Sequence, residues 1–120
     1  MTLRLIRVSL LLAPLLLSAA PSPAAEFTVM YYNLCNYFGE SDAGQKPKKE
    51  SSKKSIAAMI TQSAPDVLLL AEMGGAKTLD EFKEMLAGAG CGFKYSNMVQ
   101  GEDDARHLAI LSKSEPAEFN

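Results

Sequence analysis

The residue best placed to do chemistry in this chain is Glu72. It comes after the apolar run Val67 to Leu70, where the chain leaves a hydrophobic segment for the turn at Gly74-Gly75. A carboxylate at such a boundary needs water or a partner. Mg²⁺ is one suitable partner, because it is held by one or two carboxylates together with water and phosphate oxygens. A charged residue opening a turn is the plainer account of the same position. Asn33 stands at the end of another apolar segment, Phe27 to Leu34. Its amide could ligate a metal through the carbonyl oxygen or donate to a phosphate. Asparagine also ends strands simply because it tolerates turn conformations. Lys46, Lys48, Lys49, Lys53 and Lys54 form the one concentration of cations. Lys53 and Lys54 are expected in the first turn of a helix capped by Ser52, where the macrodipole disfavours positive charge. A bound substrate phosphate would relieve that cost, and a solvated loop is the alternative.

Other candidates carry less. His107 is the only histidine and lies beside Arg106, with no acidic or cysteine partner assigned by sequence, so a structural role is expected. Glu102, Asp103 and Asp104 lack the alternating spacing and closing glutamate of a calcium loop and read as a solvated turn. Cys35 and Cys91 are the only cysteines and have no metal-type spacing. A bridge between them is disfavoured, because the expected topology puts them near opposite ends of a sheet. There is no Gly-rich phosphate loop and no Gly-x-Ser-x-Gly elbow.

The elements that must position Asn33 and Glu72 are legible from pattern. FTVMYYNL, Phe27 to Leu34, is aromatic and β-branched and reads as a strand buried on both faces. Cys35 to Ser52 lacks apolar periodicity and reads as a long loop, a length that is usually functional or disordered. Ile56, Met59 and Ile60 recur at helical spacing, and the helix ends before Pro65. Asp66 to Ala71 is a short apolar strand. Thr78 and Glu81 fit a capping box for a helix striped by Leu79, Phe82 and Leu86 and stopped by Gly88 and Gly90. Phe93 to Val99 and His107 to Leu111 read as two antiparallel strands. The order is β-α-β-α-β-β, an α/β (α+β) chain. A β-α-β unit makes its strands parallel, so the carboxyl ends carrying Asn33 and Glu72 share one sheet edge with the start of the connecting helix.

The first 24 residues read differently. Arg4 and Arg7 precede an apolar run from Val8 to Leu17, and small residues follow up to Ala24. That is the plan of a secretory signal peptide, with an apolar run far short of the roughly 20 residues that span a bilayer. Pro14, Pro21 and Pro23 oppose a buried helix there. The location implied is secreted or periplasmic. The absence of cysteine at the cleavage junction argues against a lipoprotein anchor. Beyond residue 24 the chain has ten Lys+Arg against fourteen Asp+Glu, a net charge of −4, so any basic footprint is local.

The assembled pattern resembles the endonuclease/exonuclease/phosphatase family, the deoxyribonuclease-I-like hydrolases. FTVMYYNL resembles the family's first strand. KKSIAAMITQSAPDVLLLAEM, Lys53 to Met73, is similar to its helix, its Pro-Asp-apolar strand and its metal-binding glutamate. RHLAILSKSEP, Arg106 to Pro116, is similar to a strand usually ending in Ser-Arg/Lys-x-Pro. The resemblance implies that Glu72 is a ligand for Mg²⁺ (or Mn²⁺ or Ca²⁺), with Asn33 helping to bind metal or scissile phosphate. Ala71 stands where the family commonly has glutamine. The resemblance further implies a four-layer α/β/β/α sandwich, of which residues 25–120 match the front half. The family's base, a histidine paired with aspartate near Ser-Asp-His, and its Gly-Asp-x-Asn motif have no counterpart here.

The implied activity is an exported metal-dependent phosphoesterase, a phosphodiesterase or nuclease-like hydrolase. Its substrate would be a nucleic acid, a phospholipid headgroup or a sugar phosphate, and this chain alone is expected to be inactive. The alternative is a non-enzymatic half-domain that binds anions through the lysine loop or pairs with another protein.

Overall fold

In the computed structural model, residues 26–117 are described. The signal peptide expected over 1–24 lies outside them. The elements are β1 (Val29–Tyr37), α1 (Glu50–Ser63), β2 (Val67–Met73), α2 (Ala76–Gly88), β3 (Tyr95–Val99) and β4 (His107–Ser112). The six strands and helices follow the expected order. One mixed sheet has the strand order β1-β2-β4-β3. β1 and β2 are parallel, and β4 runs antiparallel to both β2 and β3. The chain is thus a mixed α/β fold of one four-stranded sheet and two helices. Among the described residues, no helix is long and apolar enough to cross a membrane.

Alternation along the strands decides which face the helices cover. Leu68 and Leu70 of β2, Leu34 of β1, and Ala109 and Leu111 of β4 are buried in one core with Ile56, Ala57 and Ile60 of α1 and Leu79, Phe82 and Leu86 of α2. Tyr37 meets Phe82 edge to face, with centroids 4.9 Å apart at 64°. Such a pair adds about 0.5–1.5 kcal/mol beyond burial. Burial, reinforced by Glu50 and then Glu81, pushes the Tyr37 phenol well above its ordinary range.

The opposite face has no cover among the described residues. Tyr31 pairs with Leu69, and Leu69 with Ile110, in a row across three strands. Tyr31 is 64% exposed and Leu108 54%. An apolar groove of about 210 Å³ runs between Tyr31, Leu69, Val99, Leu108 and Ile110. The sequence predicts β1 buried on both faces, and the structure corrects this. β1 is an edge strand, and Val29 and Tyr31 are exposed. Apolar residues at both parities show that both faces suit burial and do not show that both are covered.

Both helix starts differ from expectation. α1 begins at Glu50, with Lys49 as its N-cap and no side-chain cap bond, so Ser52 lies inside its first turn. Glu50 there opposes the helix dipole favourably. α1 closes as expected, on Ala64 in the left-handed region (φ 45°) before Pro65. α2 begins at Ala76 after Gly75, so Thr78 is helical and buried and makes no capping box. The capping oxygen comes instead from Asp42, in the loop between β1 and α1. Its Oδ1 accepts from the Gly75 N–H at 2.8 Å, while Oδ2 accepts from the Gly39 N–H and the Thr78 hydroxyl, each at 2.7 Å. Burial alone would raise the Asp42 carboxyl. Its bonds to Thr78, Gly39 and Gly75, with His107 nearby, outweigh burial and hold it below its ordinary value. Close approach of this carboxylate requires glycine at position 74, where a Cβ would overlap Asp42 Oδ2 and sit 2.9 Å from the Tyr37 carbonyl oxygen.

Cys35 is exposed, Cys91 is buried, and both are free thiols.

Candidate functional site

Parallel pairing brings the carboxyl ends of β1 and β2 together. Their register runs from Val29↔Val67 to Asn33↔Ala71 and then breaks, resuming at Tyr37↔Met73. Between those points β1 spends three residues where β2 spends one. The mismatch is absorbed by left-handed backbone at Cys35 (φ 51°), Asn36 (φ 60°) and Glu72 (φ 60°). Left-handed conformation at non-glycine residues costs of order 1–3 kcal/mol each, persists only where the surroundings enforce it, and gathers at functional sites.

The consequence falls on Glu72. Simple alternation would put it on the helix-covered face with Leu68 and Leu70. The positive φ breaks that alternation, and its carboxylate meets Asn33, which has the parity of exposed Val29 and Tyr31. Asn33 Nδ2 donates to Glu72 Oε1 at 3.1 Å. The backbone N–H of Asn36 donates to Glu72 Oε2 at 3.0 Å. Each carboxylate oxygen thus accepts one bond and retains acceptor capacity. Asn33 is fixed in turn, because its Oδ1 accepts from the Cys35 N–H at 2.9 Å. The two residues singled out from sequence therefore touch each other.

The structure adds Asn36, Arg106 and His107. Arg106 Nε donates to Asn36 Oδ1 at 2.6 Å, and its Nη1 lies 3.1 Å from Asp103 Oδ2. Hydrogen bonds from the Ala105 and Arg106 backbone N–H groups, then the Arg106 side chain, hold the exposed Asp103 carboxyl below its ordinary value. His107 is 6% exposed, and its Nδ1 is buried without a hydrogen-bond partner among the described residues. Asn33, Glu72, Asp103, Arg106 and His107 line one open cavity of about 210 Å³. Sequence reading missed this gathering because it did not place β4 beside β2. Antiparallel pairing there puts the start of β4 against the carboxyl end of β2, with His107 opposite Met73.

A larger open cavity of about 400 Å³ lies beside the start of α1, lined by Asn36, Lys46, Lys48, Lys49, Ser52 and Arg106 among others. Lys48 Nζ donates to the Cys35 carbonyl at 3.0 Å, tying the loop down at the site. Lys53 and Lys54 line neither cavity. Lys53 is paired with Glu50 at 2.7 Å, and Lys54 is exposed on α1. Among the described residues no group of three His, Cys, Asp or Glu side chains gathers to hold a metal. The available donors at the strand ends are the Glu72 oxygens and Asn33 Oδ1. That is a partial oxygen set of the kind Mg²⁺ completes with water and phosphate.

No family profile matches this chain, and neither does any curated protein or any solved structure.

Proposed function

We propose that this chain carries part of the metal site of an exported, metal-dependent phosphoesterase of the endonuclease/exonuclease/phosphatase type, with the described residues forming one half of its four-layer sandwich. The observation that carries this reading is the contact between Asn33 and Glu72 at adjacent strand ends, with Glu72 held in a costly backbone conformation beside an open cavity. Glu72 would hold Mg²⁺ through its free acceptor capacity, with Asn33 bonded to the same carboxylate through Nδ2 and helping to bind metal or phosphate. When bound, the ion would stabilise charge on the phosphate and the leaving oxygen.

The chain's own residues then divide the work. Asn33 and the Asn36 amide orient the Glu72 carboxylate. Arg106, oriented through Asn36, presents a guanidinium suited to phosphate oxygens at the edge of the same cavity. The substrate is a phosphate ester met outside the cytoplasm. A water-activating base is left to residues other than Asn33 and Glu72.

Mn²⁺, as a paramagnetic stand-in for Mg²⁺, tests the reading. Titrated into isotope-labelled protein, it is expected to broaden the NMR signals around Asn33 and Glu72 first, and Glu72→Gln should remove the effect. Broadening centred elsewhere, or unchanged in the variant, overturns the metal assignment. Metal-dependent diesterase activity from the purified chain would show that it also holds a base.

A further inference from the structure

Five of the six large apolar side chains exposed among the described residues lie on the open face of the sheet: Phe27, Val29, Tyr31, Val99 and Leu108. The register carries that character across all four strands. Val29 is level with Val67, Ser112 and Tyr95, and Tyr31 is level with Leu69, Ile110 and Asn97. Neither row holds a charged side chain. The face also has relief. Phe27 and Tyr31, each 64% exposed, stand on the β1 side. Beside them are two hollows that share Ile110 of β4. One, of about 280 Å³, lies level with Phe27 and is lined by Val67, Ser112 and Pro116, with Glu115 its only charged side chain. The other is the groove of about 210 Å³ level with Tyr31. Each aromatic thus has a hollow at its own height along the strands.

Taking 150–250 Å² for a whole aromatic side chain and somewhat less for an aliphatic one, the face exposes roughly 600 Å². Two such faces bury about 1,200 Å², the lower bound for a specific interface. Copies of a negatively charged chain repel one another, so close approach is favoured where neither surface carries charge.

We propose that this face is a dimer interface and that its occupant is a second copy of the chain, packed sheet on sheet. The sheets would lie about 10 Å apart with strands within about 30° of alignment. A two-fold axis between the sheets and parallel to β2 keeps each residue at its height and lays β1 of each copy over β4 of the other. Phe27 and Tyr31 of one copy then enter the hollows of the other, and the exchange is reciprocal. The helices remain outermost, so the pair has four layers. Both Glu72 cavities fall at the same end of the pair. Val99 and Leu108 line the groove and the Glu72 cavity alike, so each copy walls the mouth of the other's cavity. The pairing does not rest on the phosphoesterase reading. Where that reading holds, the second copy stands as the other half of the sandwich.

Sedimentation equilibrium of the full chain, from about 1 to 200 μM, is the test. A contact at the lower bound of specific interfaces is expected to give a Kd of about 10 μM, so the chain is a monomer with an open face at about 1 μM and a dimer at the upper end. In a mixture of labelled and unlabelled protein, isotope-filtered NOEs should join the Tyr31 ring of one copy to Ile110 and Leu108 of the other. Phe27→Lys with Tyr31→Lys puts unpaired charge into the contact and should weaken it by about a hundredfold or more. Both positions are exposed in the single chain, so the urea midpoint of the variant measured at about 1 μM should match the parent's. Neither residue lines the Glu72 cavity, so Mn²⁺ broadening around Glu72 should also persist in the variant. Three results overturn the proposal: a parent that stays monomeric at about 200 μM, filtered NOEs that join other surfaces, or a dimer that survives the double substitution. Loss of Mn²⁺ binding in a chain that dimerises as described counts against the metal reading alone.

Discussion

Asp42 and Glu72 are two half-buried carboxylates that receive backbone amides at loop and strand ends, and they have opposite fates. Asp42 takes three donors, from Gly39, Gly75 and Thr78, and its oxygens are shared among two loops and a helix start. Glu72 takes two, from Asn33 and Asn36, one on each oxygen. Asp42 spends all three of its bonds on holding the loop to α2. Glu72 is held still and remains available. Burial and amide donors therefore do not by themselves mark a functional carboxylate; what sets Glu72 apart from Asp42 is the left-handed backbone that turns it toward Asn33 and the cavity they share.

The contrast can be broken by substitution. Glu72→Ala should weaken Mn²⁺ binding by more than about a hundredfold, measured by paramagnetic broadening, since loss of even an indirect partner of a metal ligand costs 10–100-fold. The same change should cost much less stability than loss of Asp42, because water at the exposed strand ends can replace the two lost bonds, while the left-handed backbone at position 72 is unchanged by alanine. Asp42→Ala should do the reverse. Three donors lose a charged acceptor, so urea unfolding should show about 2 kcal/mol of lost stability, with metal binding retained by whatever remains folded. Gly74→Ala should cost about 1–2 kcal/mol by forcing Asp42 off its partners. A loss no greater than that of a surface substitution would mean the glycine is not required by this contact.

The smallest effect is in acid. Asp42 is held below its ordinary value of 3.8, so the unfolded chain binds more protons in that window. Its contribution is complete above the ordinary value and is lost as pH falls through the folded one. Urea midpoints between about pH 4 and 2 should therefore fall less steeply in Asp42→Asn than in the parent.

The same pair shows what the sequence makes visible. Glu72 is legible because a charge directly after a short apolar run is a local signal, and Asn33 because it ends one. The parallel crossover then brings them together by topology alone. Asp42 is not legible, since it sits in an aperiodic loop and two of its partners lie 33 and 36 residues away. Thr78 misled for the same reason: its spacing to Glu81 satisfies a local capping pattern, while a distant carboxylate supplies the cap. Element order and the β1–β2 and β3–β4 pairings could be read. The insertion of β4 between β2 and β3 could not, and with it went Arg106 and His107.

The uncovered side of the sheet has a practical consequence at the bench. Phe27, Val29, Tyr31, Val99 and Leu108 would bind a hydrophobic dye such as ANS while the helices and sheet are fully formed. Dye fluorescence from a compact chain is ordinarily taken as the sign of a molten globule. For this protein it would instead come from the native state, so near-ultraviolet circular dichroism of the Tyr37–Phe82 pair is the sounder check that a preparation is folded.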